Sequence, residues 1–403
     1  MGWLKEKLQQ EVLESIDITS EITDDELLNI IDEILLMKSR ENYISMREKR
    51  RLRRDIFNSI RKLDVLQELI ENPRVTEIMV NGTKDIFIEQ DGVIYRHDKC
   101  FESEEKLEDV VQQIVSQANR IVNASSPIVD SSLPDGSRVN IVLPPIALDG
   151  PAITIRRFPE NPITIDQLIK YQSITQEAAE FLEKLVIAKY NIFISGGTGS
   201  GKTTFLNVLS NYIPDKERII TIEDSAELQL RKIPNIVRME VRNGNTEGEN
   251  QITIRDLIKT SLRMRPDRII VGEVRDEAAI DMLQALNTGH DGSLSTGHAN
   301  SPADMLSRLE SLVLLGAEIP LKAIRRQIAS ALDIIVHLGR LRDKSRRVLE
   351  ISEVLGIRDG EIELNPLYIF NERGEDKEKI IGSLEKIGDL KSQDKLKRSG
   401  VKL

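Results

Sequence analysis

The chain has 403 residues, with 56 Lys and Arg against 66 Asp and Glu, for a formal net charge of −10. Hydrophobic residues at 40% beside 30% charged describe a chain that buries cores, not a disordered one, and the acidic balance speaks against a protein that coats nucleic acid, although a local basic face stays open. The single cysteine, Cys100, excludes an internal disulfide framework and any cysteine-based zinc site.

At about 150 residues per domain, the length predicts two to three domains. No uncharged run approaches the ~18 residues that cross a bilayer. The opening Met1-Gly2-Trp3-Leu4-Lys5-Glu6-Lys7 lacks the apolar core of a signal peptide, and Glu6 stands where a myristoylation signal wants Ser or Thr. The expectation is a cytoplasmic chain with no span of its own, recruited to the inner face of the cell membrane through partners.

Residues 1–55 read as a helical extension. Ile30, Ile31, Ile34 and Leu35 recur on one face, and Asp24, Asp25 and Glu26 supply an acidic first turn. The basic run Arg47, Lys49, Arg50, Arg51, Arg53, Arg54 fits either a solvated face or a dock for an acidic partner or lipid headgroups. From Val75 the period shortens. Strand-like Glu77–Val80 and Asp85–Glu89 lead into the turn dipeptides Asn81-Gly82 and Asp91-Gly92. Ser103 is placed to cap a helix carrying Leu107, Val110, Val111, Ile114, Val115 and Ala118. Further strands are predicted over Val139–Leu143 and Ala152–Arg156, so that 56–158 reads as a small α+β domain. Pro159 and Pro162 bracket a hinge linker, 159–162. Strands then alternate with helices through 163–372, the pattern of a mostly parallel α/β sheet. Residues 373–403 interleave Lys, Glu and Asp and read as a frayed helix or a disordered, charged tail.

The apolar run Asn191–Ser195 enters Gly196-Gly197-Thr198-Gly199-Ser200-Gly201-Lys202-Thr203-Thr204, a complete G-x-x-x-x-G-K-[ST] loop, and Phe205, Leu206, Val208 and Leu209 open a helix behind it. Glycines allow successive N–H groups to face a phosphate, and the helix start adds partial positive charge. Lys202 is placed for the β- and γ-phosphates, and Thr203 for Mg²⁺. Two further strand-like runs, Arg218–Ile222 and Arg268–Gly272, end in Glu223 and Glu273. The carboxyl ends of parallel strands line the ligand crevice, so both carboxylates are predicted beside Lys202. Hydrolysis needs such groups to activate water and hold the metal.

These motifs resemble a known family. Leu262–Asp276 is similar to the signature of the bacterial type II/type IV secretion ATPases; Thr221-Ile222-Glu223-Asp224 resembles that family's Asp box, and Gly289–Asn300 its His box. Leu133–Asn140 and Ile153–Phe158 resemble the N-terminal domain of the CpaF/TadA-type branch, the Flp (tight-adherence) pilus assembly ATPases. The tetracysteine zinc element of other branches is absent. The resemblance implies a RecA-like P-loop core and a homo-hexamer using ATP and Mg²⁺, with the nucleotide between two domains. It makes Glu223 the water-activating residue, Glu273 the Walker B residue contacting metal through a bridging water, and His298, less directly His290, a sensor of the γ-phosphate. Arg138, Arg156 and Arg157, and Arg263 and Arg265, become candidates to reach the nucleotide, some from a neighbouring subunit. For each histidine a structural loop role stays open, and for each arginine an ordinary surface role.

The implied function is an ATP-hydrolysing motor that powers pilus assembly or protein secretion through an inner-membrane platform protein. The alternative is a DNA-translocating traffic ATPase for conjugation or uptake. Against it stand the net charge, only 15 aromatics for base stacking (8 Phe, 6 Tyr, 1 Trp) and no nucleic-acid motif. A third reading, a nucleotide-dependent scaffold with negligible turnover, is opposed by the two glutamates.

Overall fold

The structure is a computed structural model. It describes every residue except 1, 17–21, 42, 91, 119, 159–161, 243, 245–249 and 378. The chain forms two compact units, residues 1–160 and 161–403. Asp91 and three of the four hinge positions, 159–161, lie outside the described residues.

The first unit opens with three helices, α1 (Gly2–Glu14), α2 (Asp24–Glu41) and α3 (Met46–Arg61). They share a core that includes Leu8, Leu27, Ile31, Leu35 and Ile56. The Ser45-x-x-Glu48 spacing makes a capping box at the start of α3: Glu48 N donates to Ser45 Oγ, and Ser45 N to Glu48 Oε2. That helix continues past the expected boundary at 55 to Arg61, because Leu52 and Ile56 carry its buried face onward. The basic run lies on α3, where Arg53 pairs with Asp32 at 2.7 Å and Arg54 with Glu68 at 3.1 Å. Part of the run is therefore spent on contacts within the unit.

Next come α4 (Val65–Glu71), β1 (Val75–Asn81), β2 (Asp85–Gln90), β3 (Val93–Arg96), α5 (Glu104–Gln117), β4 (Ile128–Ser132), β5 (Arg138–Val142) and β6 (Ala152–Arg156). The strands form one antiparallel sheet in the order β3-β2-β1-β6-β5-β4. Alternation is clean where the sheet has one buried face. Val139 and Ile141 of β5 point into the core with Ile153 and Ile155 of β6, against Leu107, Val111 and Ile114 of α5. Ser103 caps α5 by accepting from Lys106 N at 3.1 Å.

The second unit runs α6 (Ile165–Lys170), α7 (Gln176–Ile187), β7 (Ile192–Gly196), α8 (Lys202–Ser210), β8 (Ile219–Glu223), β9 (Ile236–Glu240), α9 (Ile254–Ser261), β10 (Arg268–Val271), α10 (Ala278–Leu286), β11 (Leu294–Gly297), α11 (Pro302–Gly316), α12 (Leu321–Ala331), β12 (Ile334–Arg340), β13 (Arg346–Arg358), β14 (Glu361–Asp376), β15 (Lys379–Lys386) and α13 (Asp394–Ser399). Its nine strands form one sheet in the order β15-β14-β13-β12-β7-β11-β10-β8-β9. The α/β class is as expected, but the sheet is mixed rather than mostly parallel throughout. β12, β7, β11, β10, β8 and β9 pair in parallel, and β13, β14 and β15 extend it as antiparallel hairpins. Helices cover the parallel strands on both faces. Ile192 and Ile194 pack with Leu182 of α7 and Phe205 of α8, while Phe193 packs with Ile258 of α9, Leu283 of α10 and Leu309 of α11. Burial on both sides explains why these strands read as continuous apolar runs.

The expectation of a frayed or disordered segment from Arg373 is corrected. Residues 373–376 end β14, and β15 pairs back on them. Leu384, Leu390 and Leu396 are buried in the core beneath α7 and α8. Glu353 of β13, itself buried, accepts from Lys391 N at 3.0 Å and Ser392 N at 2.7 Å, and Tyr190 Oη donates to Ser392 O at 2.5 Å. The abundant charges pair across the hairpins, as Arg342 does with Glu372 and Glu375 and Arg373 with Glu385. Composition alone cannot separate a solvated tail from strands whose charges find partners.

Candidate functional site

β7 is the central strand of the nine, between parallel β12 and β11, and the glycine loop follows it at its carboxyl end. Gly196 must be glycine: a Cβ there would stand 2.4 Å from Leu338 O of β12, and its φ is +154°. Gly201, at φ +94°, is the N-cap of α8 and offers no side chain to the first helical turn. The first-turn N–H groups therefore have no capping oxygen, the arrangement that receives an anion. Gly197, Thr198 and Gly199 form the exposed crest of the loop, and Thr203 and Thr204 are half-buried on the first turn.

Lys202 is buried and donates from Nζ to Gly196 O (3.1 Å) and Gly197 O (3.0 Å), with His298 Nδ1 at 3.3 Å. His298 lies just past β11, whose residues pair with β7 from Leu294↔Ile192 to Gly297↔Ser195. On its far side, His298 Nε2 stands 3.2 Å from Glu273 Oε1. Glu273 Oε2 accepts from Arg275 at 2.8 Å, and Arg275 reaches Asp224 at 3.6 Å. A single polar chain thus runs Lys202–His298–Glu273–Arg275–Asp224.

The charges within it are consistent. Burial, then the Lys202 charge, pushes the His298 imidazolium down, so the ring is neutral near pH 7. The contacts assign its tautomer: Nδ1 accepts from the Lys202 ammonium, and Nε2–H donates to Glu273. Burial alone would raise the Glu273 carboxyl, but the Arg275 hydrogen bond and charge, with His298 and Lys202, hold it below the ordinary range. Burial depresses the Lys202 ammonium while the Glu273 charge works the other way.

Glu223 is different. It ends β8 as expected, but it is 3% exposed and packs against Gly272, where a Cβ would meet its Cγ at 3.0 Å. Its Oε2 accepts from Glu227 N (2.8 Å) and Leu228 N (2.9 Å). Burial nevertheless wins over these bonds and pushes its carboxyl up to about 7. It makes no hydrogen bond to the Lys202–Asp224 chain.

The other sequence candidates are scattered. Arg263 and Arg265 are exposed and precede β10, at the amino ends of the parallel strands, on the opposite edge of the sheet from the glycine loop. In one copy of the chain they do not meet Lys202. His290 directs Nδ1 to Ala285 O at 3.0 Å, closing the end of α10. In the first unit, Arg138 and Arg156 pair across β5 and β6. Arg157 donates to Val75 O at 3.0 Å and to Asn72 O, tying the start of β1. That guanidinium is engaged in the fold.

Sequence reading missed three arginines. Arg275 carried a signal, two residues after Glu273 in one extended segment. Arg340 and Arg346 carried almost none: they flank the β12–β13 turn, and Arg346 Nε donates to Gly199 O at 2.9 Å across 147 residues.

No cluster of three or more His, Cys, Asp or Glu able to hold a metal occurs among the described residues. The loop does offer oxygen donors of the kind Mg²⁺ prefers when it arrives with a phosphate: the half-buried Thr203, the Glu273 carboxylate, and the buried Ser200 Oγ, which has no protein partner. The residues fit a nucleotide-borne Mg²⁺.

Residues 60–377 match the family described as type II/IV secretion system protein. The chain belongs to that family. It is 35% identical over 303 residues to the conjugal transfer protein TrbB of Rhizobium radiobacter, covering 73% of this chain and 88% of that one. It is 32% identical over 304 residues to protein VirB11 of Agrobacterium fabrum, covering 68% and 87%. The X-ray structure of the Legionella pneumophila ATPase DotB aligns with a TM-score of 0.52 at 22% identity, over 72% of this chain and 79% of that one, a likeness of fold. No helix among the described residues is long and apolar enough to cross a membrane, so this secretion-family chain offers no helical span there.

Proposed function

We propose that this secretion-family chain is an ATP-hydrolysing motor with a RecA-like P-loop core, working as a hexamer at the cytoplasmic face of a membrane-bound machine. The observation that carries the reading is the glycine loop joined through Lys202 and His298 to the carboxylate of Glu273. An anion at the α8 N-terminus would meet Lys202, the loop N–H groups and Thr203 together. Mg²⁺, when bound with the nucleotide, supplies neutralising charge on the phosphates.

Glu223 is the group to accept a proton. With its carboxyl held near 7, it is deprotonated in part of the population at neutral pH and basic enough to take the proton of an attacking water. The water oxygen bonds the γ-phosphorus, the bond from that phosphorus to the β–γ bridging oxygen breaks, and ADP and phosphate leave. Lys202 stabilises charge on the transferring group. His298, neutral and bridging Lys202 and Glu273, reports whether the γ-phosphate is present. Arg263 and Arg265 enter from a neighbouring copy, because their edge of the sheet faces away from their own loop. Arg138 and Arg156 of the first unit are proposed to contribute to nucleotide binding, and Arg157 less so because its bonds hold β1.

Within this class we favour a CpaF/TadA-type pilus assembly motor acting on an inner-membrane platform protein, on the motifs Leu133–Asn140 and Ile153–Phe158. The relatives named for conjugal transfer favour a second reading, a motor for DNA transport. Steady-state Mg²⁺-dependent ATP hydrolysis, with and without single-stranded DNA and with Lys202→Ala as the blank, decides between them. Turnover indifferent to DNA supports the pilus or export motor; a severalfold rise that salt abolishes puts DNA transport first. Turnover by Lys202→Ala equal to the parent chain would remove the site assignment altogether.

A further inference from the structure

The turn between β12 and β13 brings four arginines together: Arg340, Arg342, Arg346 and Arg347. Two of them have partners away from the glycine loop. Arg342 pairs with Glu372 at 2.6 Å and Glu375 at 3.0 Å; Arg347, buried, donates to Gln172 O and lies 5.9 Å from the Phe370 ring centroid. Arg340 and Arg346 pair with no carboxylate among the described residues, and both are exposed. They are also the two that reach the loop. Arg346 Nε holds Gly199 O at 2.9 Å, its Cδ lies 3.5 Å from where a Cβ of Gly201 would stand, and Arg340 Nη1 lies 4.0 Å from the equivalent point of Gly199.

Their mutual placement costs stability. Arg340 and Arg346 are direct cross-strand partners in the β12–β13 ladder, and like charges in that position repel. Lys202, a third cation, sits at the same loop. Parallel pairing of Leu338 with Gly196 anchors the hairpin against the loop's first residue, so the arrangement is a fixed part of the sheet. Two exposed guanidinium groups that pair with no carboxylate among the described residues, set beside Lys202, are what a polyanion would neutralise.

We propose that Arg340 and Arg346 form the outer cationic wall of the phosphate site, supplied in cis by the β12–β13 hairpin, and contact the polyphosphate of a bound nucleoside triphosphate. Arg346 has a double task, since the same guanidinium holds the crest of the loop through Gly199 O. This deepens the nucleotide reading of the loop and rests on it.

The test is calorimetric titration of the full-length chain with ATP and with ADP in Mg²⁺, comparing the parent with Arg340→Gln, Arg346→Gln, Arg346→Lys and Lys202→Ala. Each Gln variant is expected to weaken ATP binding about three- to tenfold, and to make the affinity less sensitive to salt, because one phosphate contact is lost. Melting temperatures without nucleotide should equal or exceed the parent's, because a repulsive pair is relieved. Arg346→Lys should retain most of the affinity. ATP affinity within about twofold of the parent in both Gln variants, with Lys202→Ala still defective, overturns the wall while leaving the nucleotide site standing. A parent chain that binds no ATP, or binds it as Lys202→Ala does, overturns the underlying reading and this inference with it. Arg346→Lys falling as far as Arg346→Gln while Arg340→Gln is silent reduces Arg346 to a brace of the loop and also overturns the wall.

Discussion

Glu223 and Glu273 follow neighbouring parallel strands, one pairing step apart, yet their surroundings drive them in opposite directions. Glu273 has Arg275, His298 and Lys202 around it and stays ionised; Glu223 is buried with only backbone donors and rises to about 7. The folded Glu223 carboxyl lies above its ordinary 4.5, so the folded state favours the protonated form. Its contribution to stability is full below about pH 4.5 and is lost as pH rises through about 7. Glu223→Gln, which keeps an oxygen for the 227 and 228 amides, should therefore melt higher than the parent at about pH 8 and close to it at about pH 4.5. Thermal melts at the two pH values check this, and equal melting at both would remove the burial argument. In the parent, turnover should rise through about pH 7 as the base ionises. Arg268 makes the residue-scale case for structure rather than chemistry. It is fully buried, forked onto Glu217 at 2.6 and 2.9 Å, and donates to Val186 O at 2.7 Å. Arg268→Met should cost about 3–5 kcal/mol in urea unfolding, since it leaves the Glu217 carboxylate, among the described residues, with Lys189 alone at 3.7 Å. A loss under about 1 kcal/mol would show that the Glu217 charge finds water.

At the scale of elements, the strand–loop–helix unit of β7 and α8 was legible because its chemistry is contiguous: an apolar strand, glycines where a side chain would collide, and an amphipathic helix. The cap at Ser103 is equally local. β14 and β15 were not legible, because their stability comes from Arg342, Arg373 and Glu353 meeting partners that only strand order supplies. Ending the chain after residue 372 should therefore do more than trim a tail. It would uncover the sites of Leu384, Leu390 and Leu396 and strip Glu353 of two amide donors. The expected result is loss of soluble protein or a melting temperature lower by at least about 10 °C, given several kcal/mol of lost burial. A truncated chain that melts with the parent would restore the view of 373–403 as an appendage.

At the scale of the whole molecule, the amino-end edge of the large sheet holds Arg263 and Arg265, and the carboxyl-end edge holds the glycine loop. One copy cannot join them, which fits the proposed ring of copies. Light scattering of the 45.6 kDa chain with ATP, Mg²⁺ and Glu223→Gln to arrest turnover should give a mass near six chains. A monomer under every condition would leave those two arginines without a catalytic part. The net charge of −10 makes the DNA-transport reading carry its own burden, to be met by salt-sensitive stimulation of turnover.

The sequence by itself determined the glycine loop, the strand that ends in Glu223, the strand that leads to Glu273, the Ser103 cap and the α/β alternation. Each depends on residues within a few turns of one another, where steric limits, hydrogen-bond capping and apolar periodicity act directly. Tertiary structure alone decided that His298 bridges Lys202 and Glu273, that Glu223 is pushed up to about 7 while Glu273 is not, that Arg340 and Arg346 border the loop, and that the charged C-terminal residues are strands. Those facts follow from which strands lie side by side. Strand order is set by crossovers and by cooperative burial of both sheet faces, and no local window of sequence contains either.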